Sequence, residues 1–538
     1  MVNRFDFRLG ITRREFIALT SAALASTALN GQNSPAIAND RHRPRFHLIP
    51  PSAWMNDPNG PLYWRGRYHL FYQYSPVISI TGPKYWGHAV STDLVHWRNL
   101  GIALAPTPGG PDKNGCWSGS AVVHNGVPTL VYTGATWSSD SEFAERRKGL
   151  VPERQMVAIA ADPDDENLTT WTKIPRNPVL AAPPTEMKVV GWRDPALWKE
   201  GDTWYMVIGS GEIGKGGMAL LYSSKDLRDW VYLHLLSTAK PDSSLDVSRP
   251  WASMWECPDF FFLDGKPILL VARGNGYLIG TYSDQRFEQQ SGGQIDYGSA
   301  AYAQKTMQDE KGRRIWWAWI HEKRSAEAQA AAGWAGVMSL PKLLSLSADG
   351  TLGVKPVPEL NVLRRTRRTI TNQRIAPNGP LLLKGFEGDC AEIEAEIERG
   401  DSRQAGLRVR STTDGSEQTL IGYDHDSQKL FCDTSASSTD PNTQVPPPLR
   451  ERGIESGALE LKHGELLRLR VYIDASVIET FANDKASLAD RAYPTNELSL
   501  GIGLFARGGT ARLRSMTLWE LAPISGDRLT SGAELLRV

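Results

Sequence analysis

Long helical periodicity is missing from this chain; short apolar and aromatic runs alternate instead with Gly, Pro, Asp and Asn. Between about residues 42 and 360 the runs include Tyr68 to Tyr72, Pro128 to Tyr132, Trp204 to Ile208 and Ile268 to Ala272. Aromatic and β-branched segments of this length, bounded by turn residues, predict strands. Many such strands with turns between them predict a closed or repeated all-β architecture. One theme occurs twice: Ser91 to Trp97 and Ser224 to Trp230 both read Ser-x-Asp-Leu-x-x-Trp. A repeated strand-end turn fits the blades of a propeller.

At 538 residues the chain is too long for one ordinary core. Composition shifts near 361–375, where Leu363-Arg364-Arg365-Thr366-Arg367-Arg368 reads as a solvated strand face or, as the domain boundary, a linker. From 376 to 525 alternation returns. Glu392 to Glu398 is strictly polar and apolar by turns, which predicts a strand with one wet face. Leu466 to Ile473 and Ala511 to Leu518 repeat the pattern, so this part reads as an antiparallel sandwich. Ser435 to Pro448 reads as a loop, and 526–538 as a tail.

Residues 12–17 read Thr-Arg-Arg-Glu-Phe-Ile, a small and apolar run follows to Leu29, and Ala36-Ile37-Ala38 offers a small-x-small cleavage site. This is the layout of a signal peptide over residues 1–38, and the paired arginines resemble the twin-arginine export signal. The run is too short for a permanent membrane span. The 60 basic and 60 acidic residues balance, so no basic excess favours nucleic acid as a partner. Eighteen tryptophans suit a carbohydrate partner, whose ring faces stack on indoles, and equally suit an all-β core. The four cysteines are too few for a disulfide scaffold; a pairing of Cys390 with Cys432 is left open. No spacing suggests a zinc site, and we expect neither metal nor cofactor. Oligomeric state is not legible.

Three segments carry the chemistry. Trp54-Met55-Asn56-Asp57-Pro58-Asn59-Gly60 contains a strong tight-turn signal, Asp-Pro-Asn-Gly, preceded by Trp and Asn that a mere turn does not need. In Trp192-Arg193-Asp194-Pro195 an Arg adjoins an Asp, and a Pro fixes the backbone. In Trp255-Glu256-Cys257-Pro258-Asp259, Glu256 is expected to lose hydration among Trp255, Cys257 and Phe260, as a general acid requires. Each alone is moderate evidence. Together they supply the two carboxyl groups of a glycosidase and a third to hold the sugar; in retaining enzymes the working pair stands roughly 5–5.5 Å apart.

These residues resemble glycoside hydrolase family 32, the invertases, levanases and inulinases. Residues 54–60 match its first signature, Arg193-Asp194-Pro195 its second and Glu256-Cys257-Pro258 its third. Phe71 to Tyr74, Trp86 to Ala89, Trp117 to Ser120, Asp296 to Gly298, Gly333 to Pro341 and Ile473 to Phe481 extend the likeness over nearly the whole chain after the signal. The resemblance implies a five-bladed β-propeller at 42–360 followed by a β-sandwich at 376–525. It implies Asp57 as nucleophile, Glu256 as acid/base and Asp194 as transition-state stabiliser. Trp54, Asn56, Gln73, Trp86, Trp117, Ser118, Arg193 and Trp334 are then expected around the terminal fructosyl unit. Trp117 stands where many members carry Phe. The expected reaction is hydrolysis of sucrose or fructans with retention. The alternatives are transfer to a sugar hydroxyl, a catalytically dead fructan-binding protein, which would need a missing carboxylate, and an arabinan-type hydrolase acting through water directly.

Overall fold

The computed structural model describes residues 40–525 apart from 79–81, 138–151, 213–214, 240–253, 273–275, 348, 378–380 and 441–452. The signal, the tail and most of the 435–448 loop lie outside the described residues.

The N-terminal part is five sheets of mainly four strands, antiparallel but for one short parallel pair. Their first strands are β1 (Ala53–Trp64), β2 (Gly115–His124), β3 (Val189–Glu200), β4 (Asp259–Leu263) and β5 (Ala301–Gln308). Each touches the next, and β5 returns to β1, so the five close a ring around an axis. This is the five-bladed propeller. The first blade is completed late in the chain. A short helix, α1 (Ala326–Ala332), is capped by the Ser325 hydroxyl and ends on left-handed Gly333. Trp334 and Ala335 follow at once and pair in parallel with Ala53 and Trp54.

The Ser-x-Asp-Leu-x-x-Trp theme joins the third and fourth strands of its blades. Asp93 caps the turn by accepting from the Val95 and His96 amides, and the Trp97 indole donates to the Leu94 carbonyl at 3.0 Å. Asp226, Leu227 and Trp230 repeat this. A variant of the theme, which sequence reading missed, sits in the second blade: Trp171 donates to the Leu168 carbonyl, Asp165 stands at the serine position and accepts from the Asn167 and Thr169 amides, and Asn167 replaces the aspartate.

Two six-stranded sheets form the sandwich around Ile393, Leu407, Ile421, Leu469, Leu504 and Leu518. Residues 361–375 are not a linker. After a 3-10 turn at Pro358–Leu363, Arg364–Ile375 is a strand of the first sheet, paired along Ala511–Leu521. Its charges explain why: Arg364 lies 3.7 Å over the Trp519 ring and reaches Glu392 and Glu394 at 2.8 and 2.7 Å. Glu392, expected on a wet face, is therefore buried, held by Arg364, Arg470 and the Tyr472 hydroxyl. Cys390 and Cys432 are both buried and not joined in a disulfide, each lying in a different sheet of the sandwich.

Propeller and sandwich share one apolar core, in which Leu340 and Trp316 meet Tyr472, Val477 and Phe481. Charges inside that joint are paired. Lys342, fully buried, binds Asp296 at 2.7 Å and Glu479 at 2.9 Å. His47 sits between Asp474 at 2.7 Å and Glu479 at 3.0 Å. Burial opposes a charge on that imidazole, yet the two carboxylates raise its pKa above the ordinary value.

Candidate active site

The site lies at the end of the ring where the inner strands begin. There the strands break their ladder at one level. Relative to its neighbour, β1 carries an extra residue between Met55 and Pro58, β2 between Trp117 and Gly119, β3 between Arg193 and Ala196, and β5 between Tyr302 and Lys305. Asp194, Cys257 and Ala303 have left-handed φ of 65°, 46° and 58°. Bulges re-aim side chains, and here they turn polar groups towards the axis. Asp-Pro-Asn-Gly is thus no hairpin turn. It runs along β1, and Gly60, at φ 42° and packed against Ala121, lets the strand pass close to β2.

Asp57 is held on both oxygens. The Asn56 amide donates to Oδ1 at 3.0 Å and the Ser118 hydroxyl to Oδ2 at 2.6 Å. Gln73 ties these two donors together, accepting from Asn56 at 2.7 Å and donating to Ser118. The Cys257 thiol stands 3.8 Å from Asp57 Oδ2 and 3.6 Å from Asp194 Oδ2, so the two carboxylates face one sulfur. Asp194 also accepts from the Cys257 amide at 3.0 Å, while its own amide donates to Thr133 Oγ1 at 2.9 Å. Arg193 crosses the site. It donates to Glu256 Oε1 at 2.5 Å and to Glu153 Oε1 at 3.1 Å, and its Nε lies 3.9 Å from Asp194 Oδ2. The Tyr302 hydroxyl donates to Glu256 Oε2.

Electrostatics follow from this crowding. Loss of water pushes the Asp57 pKa up to about 6; Asp194 and Glu256 push the same way, and the Ser118 and Asn56 hydrogen bonds pull against them. Burial likewise raises Asp194, with Arg193 opposing. Although burial acts against its charge, Arg193 is kept protonated by Glu256, Glu153 and Asp194. Burial lowers Lys84 to about 8, with Asp57 drawing it back up.

Of the residues singled out in the sequence, Asp57, Asp194, Glu256, Asn56, Gln73, Ser118 and Arg193 form one connected network. Trp117 stands beside it, 5.9 Å from the Arg193 guanidinium. Trp54 borders it from β1, edge-on to Trp319 at 5.8 Å; among the described residues neither indole nitrogen has a hydrogen-bond partner. Glu256 is not sealed among apolar groups as expected: 27% of its side chain is accessible, and its ligands are a cation and a phenol. Two expectations are corrected. Trp86 and Trp334 are fully buried and cannot touch a ligand. Trp86 packs with Phe71, Leu104 and Tyr132 between blades and donates to the Trp117 carbonyl. Trp334 lies among Arg43, Arg324 and Arg491 and donates to Asp40. Both support the wall from behind. Sequence reasoning missed Tyr302 and Glu153. Tyr302 follows the quoted Asp296-Tyr297-Gly298 motif by four residues, which was its one available signal; Glu153 had none.

Family profiles agree with this arrangement. The glycosyl hydrolases family 32 N-terminal domain matches residues 47–356, and the family 32 C-terminal domain matches 359–520. The sucrose-6-phosphate hydrolase of Escherichia coli is 34% identical over 495 residues, covering 89% of this chain and 94% of that protein. The levanase of Bacillus subtilis is 33% identical, over 91% of this chain and 72% of that protein. The crystal structure of fructan 1-exohydrolase IIa from Cichorium intybus superposes with a TM-score of 0.78 at 29% identity, over 90% of this chain and 98% of that one.

Proposed function

The chain belongs to glycosyl hydrolase family 32, and on that footing we propose how its carboxyl groups divide the hydrolysis of β-fructofuranosides. The enzyme is a β-fructofuranosidase that releases fructose. Asp57, held by Asn56 and Ser118, attacks C2 of the terminal fructosyl unit. The C2–O bond breaks as Glu256 gives its proton to the departing oxygen. A fructosyl ester on Asp57 results. Glu256, now a carboxylate, takes a proton from water, whose oxygen attacks C2 and expels Asp57, so configuration is retained. Asp194 accepts hydroxyl groups of the ring and fixes it, and its negative charge favours the oxocarbenium-like transition state. Arg193 and Tyr302 orient Glu256. Trp54 and Trp319 offer indole N–H donors to the sugar.

The observation that carries this reading is the convergence of Asp57, Asp194 and Glu256 around Cys257, from three different blades. Asp57→Ala and Glu256→Gln should each lower turnover at least about a hundredfold. Near-normal sucrose or fructan hydrolysis by either purified variant rejects the assignment. Chromatography of products from sucrose, levan and inulin over time separates the substrates, and dominance of new oligosaccharides would mark transfer instead of hydrolysis.

The N-terminal Arg13-Arg14 segment supports export of the folded enzyme by the twin-arginine route. Arg13→Lys with Arg14→Lys should leave the activity in the cytoplasm; an unchanged cell distribution refutes this.

A further inference from the structure

The second sheet of the sandwich carries an unusual outer face. In the strand Gln404–Ser411, Ala405, Leu407 and Val409 enter the core, so Arg408 points the other way. In Thr419–Asp424 the same alternation turns Leu420 outwards, and in Gly501–Arg507 it does so for Phe505 and Arg507. These residues border a cleft of about 830 Å³, into which Arg399 and Arg403 also reach. That volume suits a ligand of small-saccharide size.

The charges in the cleft are unmatched. Four guanidinium groups meet two carboxylates, Asp401 and Asp426, and among the described residues none of the four arginines is in an ion pair. Asp401 already accepts from the Thr510 amide and hydroxyl at 2.6 and 2.7 Å. Arg408 is the telling member. It is only 3% exposed, yet its Nε has no hydrogen-bond partner among the described residues. Asp414 is the one carboxylate acting on it, and it makes no ion pair with Arg408 among the described residues; a buried guanidinium N–H left unsatisfied is costly, and an anion in the cleft removes that cost. Its neighbour Gly415 is cut to fit: a Cβ there would come within 2.5 Å of the Arg408 guanidinium. Burial also draws the Arg408 pKa below the ordinary value, with Asp414 pulling it only part of the way back. Beside it, Leu420 and Phe505 form an apolar strip, with the Arg507 guanidinium 5.7 Å from the Phe505 ring.

We propose that this cleft is a second binding site, for an acidic saccharide. The guanidinium forks match carboxylate or phosphate oxygens in pairs, and the apolar strip takes a sugar-ring face. Nothing in it belongs to the catalytic network, so occupancy tethers the enzyme to an acidic glycan or phosphorylated sugar without entering the reaction.

The test is calorimetric titration of the purified enzyme at low salt with tri-galacturonate, glucose 6-phosphate and, as a neutral control, maltotriose. At least one acidic probe should bind saturably, weaken in high salt, and lose affinity about tenfold or more in Arg408→Gln. The exposed pair Arg403→Gln with Arg507→Gln should do the same while sucrose hydrolysis stays unchanged; this pair decides the matter should Arg408→Gln not fold. Binding of tri-galacturonate alone assigns uronates, and of glucose 6-phosphate alone phosphate esters. No saturation by either acid up to about 10 mM, equal binding of maltotriose, or full affinity in the double variant overturns the proposal.

Discussion

Removing the Ser118 hydroxyl should make the enzyme intolerant of mild acid. Asp57 must be ionised to attack, and burial with two neighbouring carboxyl groups has already raised its pKa to about 6. Ser118 opposes that rise through one hydrogen bond of 2.6 Å to Oδ2. A hydrogen bond to a charged acceptor contributes about 1.5–3 kcal/mol, and 1.36 kcal/mol corresponds to one pKa unit. Ser118→Ala should therefore lift Asp57 by about one to two units, to roughly 7–8. The sign follows directly: the anion loses its donor, so more base is needed to form it. At pH 5 about a tenth of the wild-type enzyme is ionised, and about a hundredth or less of the variant. The assay is kcat/KM on sucrose from pH 4 to 9. The acid limb should move up by at least one unit while the rate at pH 9 changes far less. A limb that stays in place, or moves to lower pH, refutes the account of how Asp57 is tuned.

Tyr302→Phe removes the phenol donor on Glu256 and leaves Arg193; kcat on sucrose should fall about tenfold or more with KM nearly unchanged. Gly336→Ala places a Cβ 1.9 Å from the Met55 carbonyl at a φ of 84°, so thermal unfolding should show a loss on the order of 2 kcal/mol or more, with activity reduced because Met55 precedes Asn56 and Asp57. The raised pKa of His47 means its stabilising charge is complete below the ordinary value of 6.5 and fades as pH rises through the folded value; the urea midpoint of His47→Gln should lose that alkaline decline, and an unaltered pH dependence counts against it.

Much of the fold and the centre of the site are legible in the sequence because their signals are local. Alternating runs specify strands, and a proline after Asp57, Asp194 and Cys257 marks each carboxylate segment. What is not legible depends on ring closure. Tyr302 meets Glu256 only because the fifth blade returns beside the fourth and first. Asp-Pro-Asn-Gly imitates a turn because bulges and turns use the same residues. Trp86 and Trp334 sit in motifs beside the site, yet the backbone turns their rings into the packing between blades and between charged side chains. The basic stretch at 363–368 looks like a boundary until its acidic counterpart, thirty residues on, is placed across Trp519.

The parallel contact of Trp334 and Ala335 with the start of β1 fixes a timetable for the newborn chain. The strand bearing the nucleophile emerges from the ribosome early, but its open edge waits for a partner that is some 280 residues behind. At about 5–20 residues per second that is roughly a quarter of a minute to a minute. During this interval a bare β edge is available to any other strand, the condition under which chains aggregate. A fragment ending before residue 334 can contain every acidic group of the reaction and still lack the clasp that holds them in place.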